Sequence, residues 1–270
     1  MQRRDFLAAS AAAAMGLAVP ALSRAAVDPG QPMIRLLYEW RTYHFASAEK
    51  QQAFARHLAQ AGVPAFNRVG VAPVGVFELL AKDNPKLKIQ DNPNDLYVLL
   101  PHKSFEALTS FEGRLQADEE YQKAGHDILN APKSDPSFAR YDSLLLLAME
   151  GFPQIQVPSK SPTRVFELRT YESPNNERAL NKLEMFNKGE FPVFGRVGMP
   201  GVFFGGAVAG GGLPQLTYMI VHADIDAVTK DWGAFSADEL WKKLKSDPSY
   251  KDNVSKIINL FIRPTDASQI

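Results

Sequence analysis

Two six-residue segments of this chain carry the same charged and phenolic side chains. Residues 38–43 read Tyr-Glu-Trp-Arg-Thr-Tyr, and residues 166–171 read Phe-Glu-Leu-Arg-Thr-Tyr. Because side chains alternate along an extended strand, the glutamate, arginine and tyrosine of each segment share one face. These six candidate ligand-binding residues are Glu39, Arg41, Tyr43, Glu167, Arg169 and Tyr171. An arginine that is not fully committed to its glutamate could hold a carboxylate or another oxyanion, whereas the alternative is a structural ion pair that binds nothing.

Histidine is the other side chain that could do chemistry at a repeated position. Of the five histidines, His102 and His222 occupy equivalent places, each two residues before a predicted helix N-cap. They are candidates for a general base or for a haem or metal ligand, and the alternative is a hydrogen-bonding role in the strand-to-helix turn. The sequence lacks the His-x-His and His-Glu-x-x-His spacings, so no metal site is predicted.

These residues recur because the chain contains a duplication. At a shift of 128 residues, Pro64–Gly70 returns as Pro192–Gly198. Further along the shift is 120 residues, as between His102 and His222, so the second copy has eight fewer residues between its middle strands. Two copies in the same order predict two similar structural units.

Each copy has the same predicted order of elements. In the first copy we predict strands at 34–43, 71–80, 96–100 and 141–149, with helices at 48–61 and from Ser104. In the second copy we predict strands at 165–171, 201–204, 216–221 and 257–262, with helices at 176–187 and from Asp224. The order β-α-β-β-α-β is the ferredoxin-like pattern, so the sequence predicts an α+β protein of two tandem ferredoxin-like repeats.

The amino-terminal segment predicts export. Residues 2–7 (Gln-Arg-Arg-Asp-Phe-Leu) resemble the twin-arginine motif, an alanine-rich stretch follows, and cleavage is predicted after Ala25. The predicted organisation is a signal peptide at 1–25, repeats at 26–152 and 164–270, and a linker at 153–163. We therefore expect a periplasmic or secreted protein with no stable membrane anchor after cleavage. A retained membrane anchor or a disordered basic tail is the alternative.

Composition narrows the classes of partner and cofactor. The chain has no cysteine, which excludes disulfides, thiolate metal sites, thiol nucleophiles and covalent haem attachment through Cys. Without residues 1–25 it has 27 Lys and Arg against 29 Asp and Glu, a formal charge of −2. Such a balance gives no broad attraction for nucleic acid, so no nucleic-acid partner is predicted.

The chain resembles the NIPSNAP family from Ile34 to Arg263. The resemblance is carried by the Glu-Leu/Trp-Arg-Thr-Tyr strand, by Pro-x-Phe-x-Arg-Val-Gly, and by the histidine that ends the third strand. It implies a dimeric α/β barrel, in which two ferredoxin-like units set their sheets face to face, here both supplied by one chain. The family has no agreed catalytic residues. Relatives on the same fold include monooxygenases, haem-degrading enzymes and haem peroxidases.

In such a barrel we expect the Glu/Arg/Tyr face of each first strand to point inward and the apolar face to meet the helices. The predicted function is binding of a small, partly apolar or anionic molecule in the barrel between the repeats. One alternative is a monooxygenase-like or haem-linked oxidoreductase with His102 or His222 as its reactive side chain. Another is a non-catalytic scaffold with a filled barrel. The cofactor is left unassigned, with haem as the candidate, and further assembly into a homo-oligomer stays open.

Overall fold

The computed structural model describes residues 34–270, which form one compact unit. The predicted signal peptide, its cleavage site and the first residues of the first repeat lie outside this range. Within residues 34–270, no helix has the length and apolar character needed to cross a membrane.

The helices and strands follow the predicted order in both copies. The first copy comprises β1 (Leu37–His44), α1 (Ala48–His57), α2 (Val63–Arg68), β2 (Gly75–Leu79), β3 (Asp95–His102), α3 (Phe105–Gln116), α4 (Glu119–Ala124), α5 (His126–Leu129) and β4 (Arg140–Ala148). The second copy comprises β5 (Val165–Glu172), α6 (Asn176–Met185), α7 (Phe191–Arg196), β6 (Gly201–Ala209), β7 (Gln215–His222), α8 (Ala227–Ala237), α9 (Glu239–Ser246) and β8 (Lys256–Pro264).

A π-helical turn joins the two parts of the first long helix in each copy. The turns are Leu58–Gly62, between α1 and α2, and Phe186–Glu190, between α6 and α7. Each lies just before a proline, Pro64 or Pro192, whose nitrogen cannot donate the hydrogen bond that a regular α-helix requires. Turns of this kind are frequent at functional sites.

The eight strands close into one barrel in the order β1-β3-β2-β8-β5-β7-β6-β4. Each copy contributes a four-stranded antiparallel sheet, and the two sheets join where β2 pairs with β8 and where β4 pairs with β6. The predicted fold class is therefore confirmed: two tandem ferredoxin-like repeats form an intrachain α/β barrel.

The interior of the barrel is filled with apolar side chains from both copies. The Trp40 ring lies 6.1 Å from the ring of Phe77 and 6.2 Å from that of Phe203, and the Phe77 ring lies 5.2 Å from that of Phe166. The other large members of this cluster include Tyr38, Tyr97, Leu99, Leu146, Leu168, Met219 and Ile262. Side chains packed in this way can fill the interior of an eight-stranded barrel, so little room is left for a ligand.

The predicted orientation of the first strands is therefore wrong. Tyr38, Trp40, Phe166 and Leu168 point into the barrel, and the Glu/Arg/Tyr face points outward, beneath the helices. Tyr43 belongs to the core between the first sheet and its helices, and Tyr171 belongs to the corresponding core of the second copy. The six predicted ligand-binding residues thus form two separate clusters instead of lining one shared cavity. Binding inside the barrel, as first predicted, does not fit this packing.

Candidate functional site

In the first copy, Arg41 is enclosed by acidic partners. Its Nε donates to Glu39 Oε1 at 2.7 Å, its Nη2 donates to Glu39 Oε2 at 3.0 Å, and Nη1 donates to Tyr43 Oη at 3.2 Å. A second carboxylate, Glu112 on α3, lies 2.9 Å from Nη2. Each guanidinium nitrogen of Arg41 is therefore engaged, and two carboxylates more than neutralise its charge.

In the second copy, Arg169 has fewer partners. Nη1 donates to Glu167 Oε1 at 2.6 Å and Nε donates to Tyr171 Oη at 3.2 Å, while Nη2 has no hydrogen-bond partner among residues 34–270. At the position of Glu112 the second copy has Trp232, whose ring centroid lies 4.4 Å from Arg169 Cζ. Trp232 also donates from Nε1 to Glu167 Oε2 at 2.7 Å. Arg169 thus keeps one edge of its guanidinium group for another acceptor.

The two repeated histidines support the glutamates. His102 Nε2 lies 3.3 Å from Glu39 Oε2, and His222 Nε2 lies 3.0 Å from Glu167 Oε2. His222 Nδ1 also bonds to Asp231 Oδ2 at 2.8 Å. Burial alone would lower the pKa of His222, but hydrogen bonds to Glu167 and Asp231 outweigh it and raise that pKa above its usual value.

The positions of His102 and His222 argue against the alternative in which one of them is a haem ligand. The His102 and His222 side chains are both 0% exposed, and neither imidazole lines the cavities described below. Coordination of haem iron by Nε2 would require the imidazole to give up its hydrogen bond to a buried carboxylate and to leave its buried position, which costs free energy. The two histidines therefore do not fit the role of a haem ligand, and the geometry gives them a positioning role.

The glutamates are held in their ionised form. Burial by itself would raise the pKa of Glu39, but hydrogen bonds from His102 and Arg41 lower it to about 2. The pKa of Glu167 is likewise lowered, because donors from His222, Arg169 and Trp232 outweigh burial. Each glutamate is thus a fixed anion that orients the arginine two residues later.

Three cavities surround these clusters, on the helix side of the sheets. One of about 240 Å³ lies beside Arg41 in the first copy. The second copy has two, of about 700 Å³ and about 330 Å³, and Arg169 and Trp232 line both. The larger, which we call the inter-copy cavity, lies between residues 82–87 of the first copy and the start of α8. The smaller, the helix cavity, lies between β5 and the helices α6, α7, α8 and α9.

The wall of the inter-copy cavity comes from the segment that is longer in the first copy. Asn84 in this β2–β3 loop donates from Nδ2 to the Phe261 carbonyl at 2.8 Å, and its Oδ1 accepts from the Phe261 amide at 2.8 Å. Asp83 forms an ion pair with Arg263, with Oδ1 3.2 Å from Nη2. These contacts fix the loop on β8 of the other copy. They also place Lys82 and Lys86 on the cavity wall.

The helix cavity contains further buried polar groups. Lys182 on α6 forms a buried ion pair with Glu190, the last residue of the π-helical turn. The hydroxyls of Tyr171 and Tyr218 lie 2.8 Å apart. Both pairs belong to the second copy alone.

Sequence reasoning missed the residues from other elements that complete these sites. They are Glu112, Trp232, Lys182 and Glu190, which lie on helical segments, and Tyr218 on β7. The signal that could have found them is a difference between the copies and not a similarity. The first copy has Phe54, Gly62 and Val98 at the positions of Lys182, Glu190 and Tyr218.

Comparison with known proteins supports the second repeat as a recognisable unit. Residues 166–269, within the second repeat, match the family described as NIPSNAP. No curated protein matches the sequence of the chain.

Solved structures share the barrel over most of the chain. A candidate monooxygenase from Lactobacillus acidophilus NCFM has a TM-score of 0.57 and 11% sequence identity, covering 85% of this chain and 94% of its own. A candidate monooxygenase from Fusobacterium nucleatum has a TM-score of 0.52 and 11% identity, covering 85% of this chain and 92% of its own. At such low identity the likeness extends to the fold alone.

Proposed function

We propose that this protein binds a small, flat, anionic molecule in the inter-copy cavity, with Arg169 as its anchor. The observation that carries the proposal is the contrast between the two arginines. Arg41 is enclosed by Glu39 and Glu112, whereas Arg169 has an unpartnered Nη2 among the described residues and lines a cavity of about 700 Å³. A guanidinium edge of this kind matches a carboxylate in charge and in geometry.

The walls of the inter-copy cavity support this choice of ligand. Lys82 and Lys86 add positive charge, and the Asp83 carboxylate on the same wall is paired with Arg263. The other acidic lining residues are Asp226 and Glu167, and Glu167 is paired with Arg169 and His222. Apolar surface comes from Leu87, Ile225, Val228, Trp232 and Phe261. A volume of about 700 Å³ with mainly apolar walls and a few charged groups is typical of small-molecule sites.

The first test is titration calorimetry with benzoate, a flat carboxylate, and with benzamide, its uncharged counterpart. We expect the protein to bind benzoate and Arg169→Gln to weaken that binding by about 10- to 100-fold, the range for a charge-assisted hydrogen bond. Arg41→Gln should change it less than about twofold, because that guanidinium is already occupied. Both variants are first checked for native circular dichroism.

A second variant separates the charge of Arg169 from its structural role. Trp232→Glu places opposite Arg169 the carboxylate that the first copy has at Glu112, and should abolish benzoate binding in a folded protein. The proposal would be contradicted if benzoate and benzamide bound equally well. It would also be contradicted if Arg169→Gln and Arg41→Gln lowered the affinity for benzoate equally. Native mass spectrometry of the purified protein then identifies the molecule retained in the cell.

An oxygen-using enzyme remains the alternative function. The barrel is shared with structures described as candidate monooxygenases, and this likeness supports the fold. The filled barrel fits the scaffold alternative as well, but that alternative leaves the three cavities on the helix side without a purpose.

We also propose that the binding protein works outside the cytoplasm. The support is the sequence of residues 2–25, with its paired arginines, alanine-rich stretch and small residues before the expected cleavage point. N-terminal sequencing of the protein from a periplasmic fraction should start at Ala26. A protein that still begins at Met1, or that stays in the cytoplasm, would refute export.

A further inference from the structure

The ion pair between Lys182 and Glu190 is buried and belongs to the second copy alone. The two side chains are 4% and 2% exposed, and Nζ donates directly to Oε1. The first copy builds the same helix and π-helical turn with Phe54 and Gly62 at these positions. Because the fold forms without charges there, the requirements of the fold do not explain the pair. Removing two charges from water also costs free energy that their attraction often fails to recover.

The pair faces a cavity that contains other reactive groups. Lys182, Glu190, Arg169 and Tyr171 all line the helix cavity of about 330 Å³. Its remaining walls are largely aromatic and include Phe194, Trp232, Phe235, Trp241 and Tyr250. With Lys245 the cavity walls carry three cations, a carboxylate and two phenols, in a space large enough for one aromatic ring.

The surroundings of Glu190 favour proton uptake. Burial raises the pKa of this carboxyl above its usual value, although Lys182 and Arg169 oppose the shift. The other ionisable groups around it are Lys245 and Tyr250 on the cavity wall and the buried phenols Tyr171 and Tyr218, and burial raises the pKa of the last two hydroxyls. These two phenols stay protonated, so they can donate hydrogen bonds to an anion but do not compete with Glu190 for its proton.

We propose that the helix cavity binds a small aromatic molecule with a weakly acidic hydroxyl, a phenol or an enol, and removes its proton. The O–H bond of the ligand breaks, the proton passes to the Glu190 carboxylate, and the ligand oxygen becomes the anion beside Lys182 and Arg169. The cavity exchanges one anion for another next to the same two cations, so its total charge does not change. No oxidant or reductant is involved.

This inference concerns a different cavity from that of the proposed function, and Arg169 is the only charged residue that lines both. The probe is 4-nitrophenol, whose ionised form absorbs at a longer wavelength than its neutral form. When the probe is bound to the wild-type protein, its pKa should be about one to three pH units lower than in water, as expected beside positive charges. A bound probe that stays neutral below its solution pKa would overturn the proposal.

The destination of the proton is tested by calorimetry in buffers with different heats of ionisation. Wild-type protein should bind the probe as its anion and release almost no proton to the buffer, because Glu190 retains it. Glu190→Gln should still bind the anion beside Lys182, but should release about one proton per probe bound. Equal proton release from the two proteins would exclude Glu190 as the acceptor.

A double variant provides a folded control. Lys182→Phe with Glu190→Gly restores the residues of the first copy and should bind no ionised 4-nitrophenol. It should still bind benzoate in the inter-copy cavity, so failure of this inference is distinguishable from failure of the proposed function. A double variant that still ionises the bound probe would contradict the inference.

Discussion

Replacement of Trp40 by alanine is expected to lower the free energy of unfolding by about 3–5 kcal/mol, the usual cost of removing a large aromatic side chain from a packed core. Trp40 lies at the centre of the barrel, against Phe77, Tyr97 and Phe203. These rings come from both copies. The space left by the missing indole would therefore weaken the contact between the two sheets, and not the packing of one repeat alone. Equilibrium unfolding in urea measures the effect. The comparison requires that the slope of the free energy of unfolding against urea concentration is the same in both proteins.

The matched control for Trp40 is an aromatic residue outside the core. Phe105, at the start of α3, is 64% exposed, so Phe105→Ala should change the free energy of unfolding by less than about 0.5 kcal/mol. If Trp40→Ala costs no more than Phe105→Ala, the barrel interior is not packed as described. The expectation of a hollow barrel with a ligand inside would then return.

The second large effect is expected for Lys182→Met. Removing one partner of a buried ion pair leaves the other charge uncompensated, at a cost of about 3–5 kcal/mol. The cost should depend on pH, because Glu190 can become neutral by taking up a proton. Its pKa in the folded protein is raised by burial, so protonated Glu190 stabilises the fold at low pH, and this contribution is lost as pH rises through the raised pKa.

The loss in free energy of unfolding that Lys182→Met causes relative to wild type should therefore be smaller at about pH 4 than at about pH 8. This pH range follows from a glutamate pKa near 4.3 in the unfolded chain. Urea unfolding at the two pH values measures the loss. Lys182→Phe with Glu190→Gly removes both charges and should lie within about 1–2 kcal/mol of wild type, allowing for glycine in a helix. A double variant as unstable as Lys182→Met would show that the pair is needed for the fold.

The order of strands and helices could be predicted because the sequence pattern of each element occurs in both copies. Helix α1 begins at Ala48 and strand β5 begins at Val165, as predicted. The first helix was predicted to span 48–61, but it continues through a π-helical turn as far as Arg68. Apolar periodicity runs through such a turn without a clear break, so the pattern does not reveal it.

The inward face could not be read from alternation, which separates two faces without saying which one meets the other sheet. The expectation that the apolar face meets the helices leaves the charged face to point into the barrel. Trp40 and Phe166 were in fact needed to fill a narrow barrel, and the charged face found its partners on helices. Those partners, such as Glu112 and Trp232, lie far from the strand in sequence and depend on tertiary packing.

Supplying both halves of the barrel from one chain has a consequence for how the site could evolve. In a barrel made of two identical subunits, each mutation changes both halves at once, so a charge pair such as Lys182 and Glu190 would enter twice. Here Phe54 and Gly62 keep one half apolar while the other half carries the charges. A single covalent chain thus permits a division of labour, in which one half preserves the architecture and the other is free to specialise.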